Sequence, residues 1–181
     1  MREIRLHGIG GLGTVKAGEM LVHAAVFNGK FGNSIPFFGF ERQGAPVTSY
    51  VRLGDEKIRA KNQVYHPDCT LVLDPNLLVS APVFEGLAEN SFFILNTRAE
   101  DATPLIENSN VSCVAWLNAT AIALEMLGRP ITNTIMLGAF TKATGWVEKG
   151  QLETVIGKFF GEKNVAAFQR GYDEVKLHKF K

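Results

Sequence analysis

Gly8-Ile-Gly10-Gly11-Leu-Gly13 most narrows what this chain can fold into, because it stands directly between a short alternating segment and an amphipathic one. Ile4 and Leu6 alternate with Arg2, Glu3, Arg5 and His7. That is the period of a strand, although charge at every second position is unusual for the centre of a parallel sheet. Beyond the glycines, Val15, Gly18, Leu21, Val22, Ala25 and Val26 recur at helical spacing from Thr14 to about Asn28, with Thr14 placed to cap the helix and Gly29 to end it. Strand, glycine turn and helix in that order satisfy G-x-G-x-x-G, in which bare backbone approaches an anion closely and the free N–H groups of the helix start act as donors. The turn has three readings: a phosphate contact, a dinucleotide site, or helix–sheet packing alone. Apolar Ile9 and Leu12 suit packing at least as well as phosphate binding.

A dinucleotide site also needs an acid about 20 residues beyond the glycines to hold the ribose. Between Lys30 and Phe40 there is no Asp or Glu, Glu19 lies inside the predicted helix and Glu41 falls in the following loop, so NAD is disfavoured.

Downstream, Phe31 to Pro46 mixes glycines and prolines with phenylalanines, too irregular for a helix and too apolar for a solvated loop, and reads as an ordered functional loop. Val47 to Leu53 alternates up to Gly54-Asp55-Glu56-Lys57, and Ile58-Arg59-Ala60 returns, which predicts a β-hairpin. Thr70 to Asp74 and Ser91 to Asn96 are short apolar runs on either side of a predicted helix from Leu77 to Glu89, broken near Pro82; Val111 to Trp116 adds a strand. Helices follow over Asn118–Leu127, Thr132–Thr144, Gln151–Phe160 and Val165–Lys176. The order predicts an α/β fold, a three-layer Rossmann-like sheet with an antiparallel hairpin and a helical C-terminal third, in a single domain over residues 1–181.

Composition excludes several functions. With 19 Lys+Arg against 18 Asp+Glu and no basic block, there is no electrostatic footprint for nucleic acid. Cys69 and Cys113 belong to no C-x-x-C, so this chain's thiolates cannot assemble an iron–sulfur cluster or zinc site; they read as buried thiols of a cytoplasmic protein. No apolar stretch suits a signal peptide or a membrane span. His7, His23, His66 and His178 lack a metal-ligand spacing. Asp74 and Asn96 end predicted strands, where open sheets bind ligands, yet Asp74 before Pro75 also suits an Asx turn.

Phe37-Phe38-Gly39-Phe40-Glu41-Arg42-Gln43-Gly44-Ala45-Pro46 sets an acid and a base beside aromatics and glycines, a composition suited either to a protein interface or to this domain's own core with a solvated Glu–Arg pair. The glycine turn, then P-F-F-G-x-E-x-x-G-x-P, then a strand, is similar to the gamma subunits of 2-oxoacid:ferredoxin oxidoreductases. The likeness extends to Thr70–Asp74, to Asn133 with Leu137-Gly138-Ala139, and to Asn164–Tyr172.

The resemblance implies a chain that supports oxidative decarboxylation of a 2-oxoacid to acyl-CoA with ferredoxin as electron acceptor, and that is inactive alone. Thiamine diphosphate, Mg²⁺ and iron–sulfur clusters would sit on alpha, beta and delta-type partner subunits, with coenzyme A as cosubstrate. The resemblance further implies a CoA or phosphate contact at Gly10, Gly11, Gly13, Thr14 and Arg42, and a partner interface of Phe37, Phe38, Phe40, Glu41, Arg42 and Gly44. Arg42 is the preferred anion-facing residue because a guanidinium is a permanently charged donor fork. Alone, the chain is expected to be capable of homodimerising. The rival readings are a free-standing NAD(P)-dependent oxidoreductase and a purely structural subunit without ligand contact.

Overall fold

A computed structural model describes residues 1–38 and 44–180. Its element order is β1 (Arg2–Ile9), α1 (Thr14–Phe27), β2 (Phe31–Phe38), β3 (Pro46–Gly54), β4 (Cys69–Val72), α2 (Leu77–Ser80), β5 (Ser91–Asn96), β6 (Val111–Leu117), α3 (Ala119–Leu127), α4 (Asn133–Thr144), α5 (Lys149–Phe160), α6 (Glu162–Glu174) and β7 (Lys176–Lys179). One seven-stranded sheet runs β2-β3-β1-β4-β5-β6-β7. Its centre, β1-β4-β5-β6, is parallel, while β2, β3 and the terminal β7 are antiparallel to their neighbours.

Alternation along β1 has a different meaning from the one expected of a half-solvated strand, because both of its faces are buried. Ile4 and Leu6 pack with α1, α4 and the other C-terminal helices in the main apolar core, and Arg5 and His7 lie on the opposite face at 6% exposure each. A smaller core on that second face joins Val72, Phe93, Leu95 and Val114 to Leu77, Val83 and Leu87, with Phe84 stacked on Phe93 at 4.6 Å. Both cysteines are free and buried, and desolvation holds the Cys69 thiol well above its ordinary range.

Four expectations need correction. Phe31 to Phe38 is not loop but edge strand β2, where Gly32 and Pro36 are tolerated because one side of the strand needs no ladder. The hairpin is therefore β2–β3; Ile58-Arg59-Ala60 forms no strand, since β3 already has β1 on one edge and β2 on the other. The helix predicted from Leu77 to Glu89 stops after one turn at Ser80, because Pro82 drives Ala81 into extended backbone (φ −136°, ψ 152°), so the second face is covered mainly by irregular chain. The last helix ends at Glu174, and Val175 (φ −62°, ψ 131°) turns the chain into β7 against β6.

Helices α4 and α6 cross at backbone contact. A methyl on Gly138 would collide with the Phe168 carbonyl, and one on Gly171 with the Ile135 carbonyl. Neither neighbour is a side chain that can rotate away. Gly171→Ala is expected to destabilise the fold by roughly 1–3 kcal/mol or more, measured by urea unfolding; a loss below about 0.5 kcal/mol, the scale of a neutral surface change, would contradict the close crossing.

Candidate functional site at the glycine turn

The Gly8–Gly13 turn leaves the C-terminal end of β1 and enters α1 with Gly13 at the N-cap in left-handed backbone (φ 77°). Thr14, expected to cap, is instead the first helical residue, and no side chain caps the helix. Its hydroxyl is buried without a partner among the described residues and aims at Gly8, where a β-carbon would fall on it. Gly13 is equally tight: a β-carbon there would meet the Asn133 amide, whose Nδ2 donates to the Gly13 carbonyl at 3.4 Å. Gly11 is open, exposed at φ 101° with nothing within 4 Å of where a β-carbon would stand.

The Gly10 N–H is already committed, donating to the Ala45 carbonyl at 3.0 Å. This bond pins the end of the Pro36–Pro46 segment to the glycine turn, so two separately predicted motifs converge at one end of the sheet. What remains for an anion is Gly11 and the first-turn amides of α1, which lack intrahelical partners and carry no acidic residue in that turn. Phe37 is half exposed at the end of β2, and Gly44 is exposed with φ 88°. Phe38 is the last residue of β2, whereas Phe40, Glu41 and Arg42 lie outside the described residues.

Asp74 and Asn96 are structural. Asp74 Oδ1 accepts from the Asn76 N–H at 2.9 Å, the Asx turn that its sequence context suggested. Asn96 donates to the Leu73 carbonyl at 2.8 Å and the Thr120 hydroxyl at 2.9 Å, bracing β5 against α3. The dinucleotide geometry also fails: β1 has antiparallel β3 on the side where a second parallel strand would carry the ribose acid. Among the described residues, no group of His, Cys, Asp and Glu is placed to hold a metal, and no helix is long and apolar enough to cross a membrane.

Sequence reasoning missed a second polar cluster, on the face of β1 away from α1. Arg52 on β3 bonds Glu3 at 2.7 Å and the carbonyls of Asn62 and Gln63 at 2.8 and 3.0 Å. Arg5 donates through Nη2 to the carbonyls of Glu85 and Val83 at 2.6 and 3.3 Å. Between the two chain segments held in this way opens a cleft of about 600 Å³ bordered by Arg5, His7, Phe37, Tyr50, Tyr65 and Glu85. Burial, reinforced by the Arg5 charge, lowers the His7 pKa from 6.5 to about 3. Charged residues at alternate positions of a buried strand were the signal that could have found this cluster.

A family model described as pyruvate ferredoxin/flavodoxin oxidoreductase matches residues 3–174. The pyruvate/ketoisovalerate oxidoreductases common subunit gamma of Pyrococcus abyssi is 44% identical, with 98% of each chain covered. Pyruvate synthase subunit PorC of Methanothermobacter marburgensis is 46% identical over 97% of this chain and 98% of its own. The crystal structure of pyruvate oxidoreductase subunit PORC from Thermotoga maritima superposes with a TM-score of 0.86 at 36% identity, covering 98% of both chains.

The His7 environment has a consequence for stability. With a folded-state pKa of about 3 against 6.5 when unfolded, the unfolded chain takes up the proton first. The His7 contribution is thus complete above pH 6.5 and is lost as pH falls towards 3, by about 1.4 kcal/mol per pH unit. Urea unfolding between pH 7 and 4.5 is expected to show a steeper loss for the native chain than for His7→Gln; equal slopes would mean that the imidazole stays hydrated.

Proposed function

The chain belongs to the pyruvate ferredoxin/flavodoxin oxidoreductase family as the gamma subunit of a 2-oxoacid:ferredoxin oxidoreductase, and from that premise we propose that its glycine-turn end is the surface presented to partner subunits and coenzyme A. The complex oxidatively decarboxylates a 2-oxoacid and passes the electrons to ferredoxin, using thiamine diphosphate, iron–sulfur clusters and coenzyme A. On this reading the gamma chain acts as one cytoplasmic domain that holds none of the redox or thiamine groups, which belong to alpha, beta and delta-type partners. Its own task is positioning.

The observation that carries the reading is the hydrogen bond from Gly10 to Ala45, because it brings the helix start and the Pro36–Pro46 segment to the same edge. Uncapped amides of α1 favour a phosphate oxygen there, Gly11 leaves room for it, and Arg42 supplies the permanent positive charge. Phe37, Phe38 and Phe40 bring the aromatic area from which interfaces draw most of their energy, with Glu41 and Gly44 completing the contact. Gly10, Gly13 and Thr14 serve the geometry of the turn. Coenzyme A, when bound, supplies the thiol that accepts the acyl group; the residues here orient its phosphate end. The Pyrococcus abyssi relative is named as common to pyruvate and ketoisovalerate oxidoreductases, which supports placing 2-oxoacid selection on another subunit in this complex too.

A purely structural role is the second reading, favoured by buried Leu12 and by the commitment of the Gly10 amide. Anaerobic affinity purification of the native complex, followed by ferredoxin reduction at varied CoA, separates the two. Arg42→Ala is expected to raise KM for CoA about ten-fold, the loss of a hydrogen bond to a charged group, with subunit stoichiometry kept. An unchanged KM with intact assembly assigns the scaffold role, and recovery of the native chain without thiamine- and cluster-bearing partners removes both readings.

A further inference from the structure

We propose that the cleft over Arg5 and His7 is a binding site for a small molecule carrying a carboxylate or phosphate group. The argument starts from two arginines on the same face of the sheet. Arg52, at 2% exposure, has its charge balanced by Glu3 at 2.7 Å. Arg5, at 6% exposure, has no ion pair among the described residues; it donates to the neutral carbonyls of Val83 and Glu85, and its buried Nε has no partner among the described residues. A buried cation without a close counter-charge is costly, and an anion of suitable shape recovers that cost. The nearby acid is Glu85, which is exposed and makes no ion pair with Arg5 among the described residues, although its charge still favours the guanidinium from a greater distance.

His7 adds a second recognition element. It is also 6% exposed, its Nε2 has no partner among the described residues, and its neutral ring carries one N–H that can donate without adding charge. A cleft of about 600 Å³ lies in the range of small-molecule sites, and the rings of Tyr50, Tyr65 and Phe37 give the body of a ligand apolar walls. Together these groups define a charged floor with an aromatic rim, on the opposite face of β1 from α1.

This inference does not rest on the gamma-subunit reading, because the isolated full-length chain tests it. In protein labelled with ¹⁵N-arginine, the Arg5 Nε–H signal is assigned by its loss in Arg5→Lys and followed during titration with inorganic phosphate, acetate or CoA at constant ionic strength. A saturable shift with phosphate or acetate is expected, weakened about ten-fold in His7→Leu, as for a lost hydrogen bond to a charged group. His7→Gln, which keeps a neutral N–H donor in place of the imidazole, is expected to retain the saturable shift, and so serves if His7→Leu does not fold. Saturation by phosphate and not acetate, or the reverse, identifies the anionic group. A shift linear in salt, or saturation by CoA but by neither small anion, overturns the proposal.

Discussion

Buried guanidinium groups hold the second layer of this protein in place, and the rest of that face depends on them. Arg52 joins β3 to Glu3 of β1 and to the carbonyls of Asn62 and Gln63. A chain segment without secondary structure can therefore lie across the sheet with its polar backbone satisfied, as a buried loop requires. Breaking such a buried pair by removing one partner typically costs about 3–5 kcal/mol. Arg5 does the same for the chain after α2, through Val83 and Glu85. The cleft is the gap left between two segments that the arginines hold apart.

The opposite face follows another rule. There the helices approach one another through glycine, with Gly138 and Gly171 placing the backbones of α4 and α6 in contact. This crossing fixes where α4 begins, and Asn133 at its first turn reaches the Gly13 carbonyl. The helix start of α1 is thus set partly by a residue 120 positions away. The turn is held from behind by α4 and from the side by Ala45.

These constraints explain which parts of the fold were legible in advance. The strand–turn–helix unit at the N-terminus and the helices from α3 to α5 follow from hydrophobic period and glycine punctuation, both local signals. The partner of β3 was not legible, because pairing depends on which edges are already occupied, and β1 claims one of them across some forty residues of sequence. The tail misled for a similar reason. Its residues suit a helix until Val175, but β6 has an unpaired edge that β7 satisfies.

The same division holds for function. By itself the sequence determined the family, the strand–glycine–helix order and the absence of cluster-ligand cysteine motifs, because each is a matter of residue type and spacing along the chain. Only the tertiary structure decided that the Gly10 amide is spent on Ala45, that the Thr14 hydroxyl is sealed against Gly8, and that Arg5 and Arg52 share one face with, among the described residues, the latter alone paired to a carboxylate. Whether a donor is free or a charge is balanced depends on groups far off in sequence, and only the packed chain brings those groups within bonding distance.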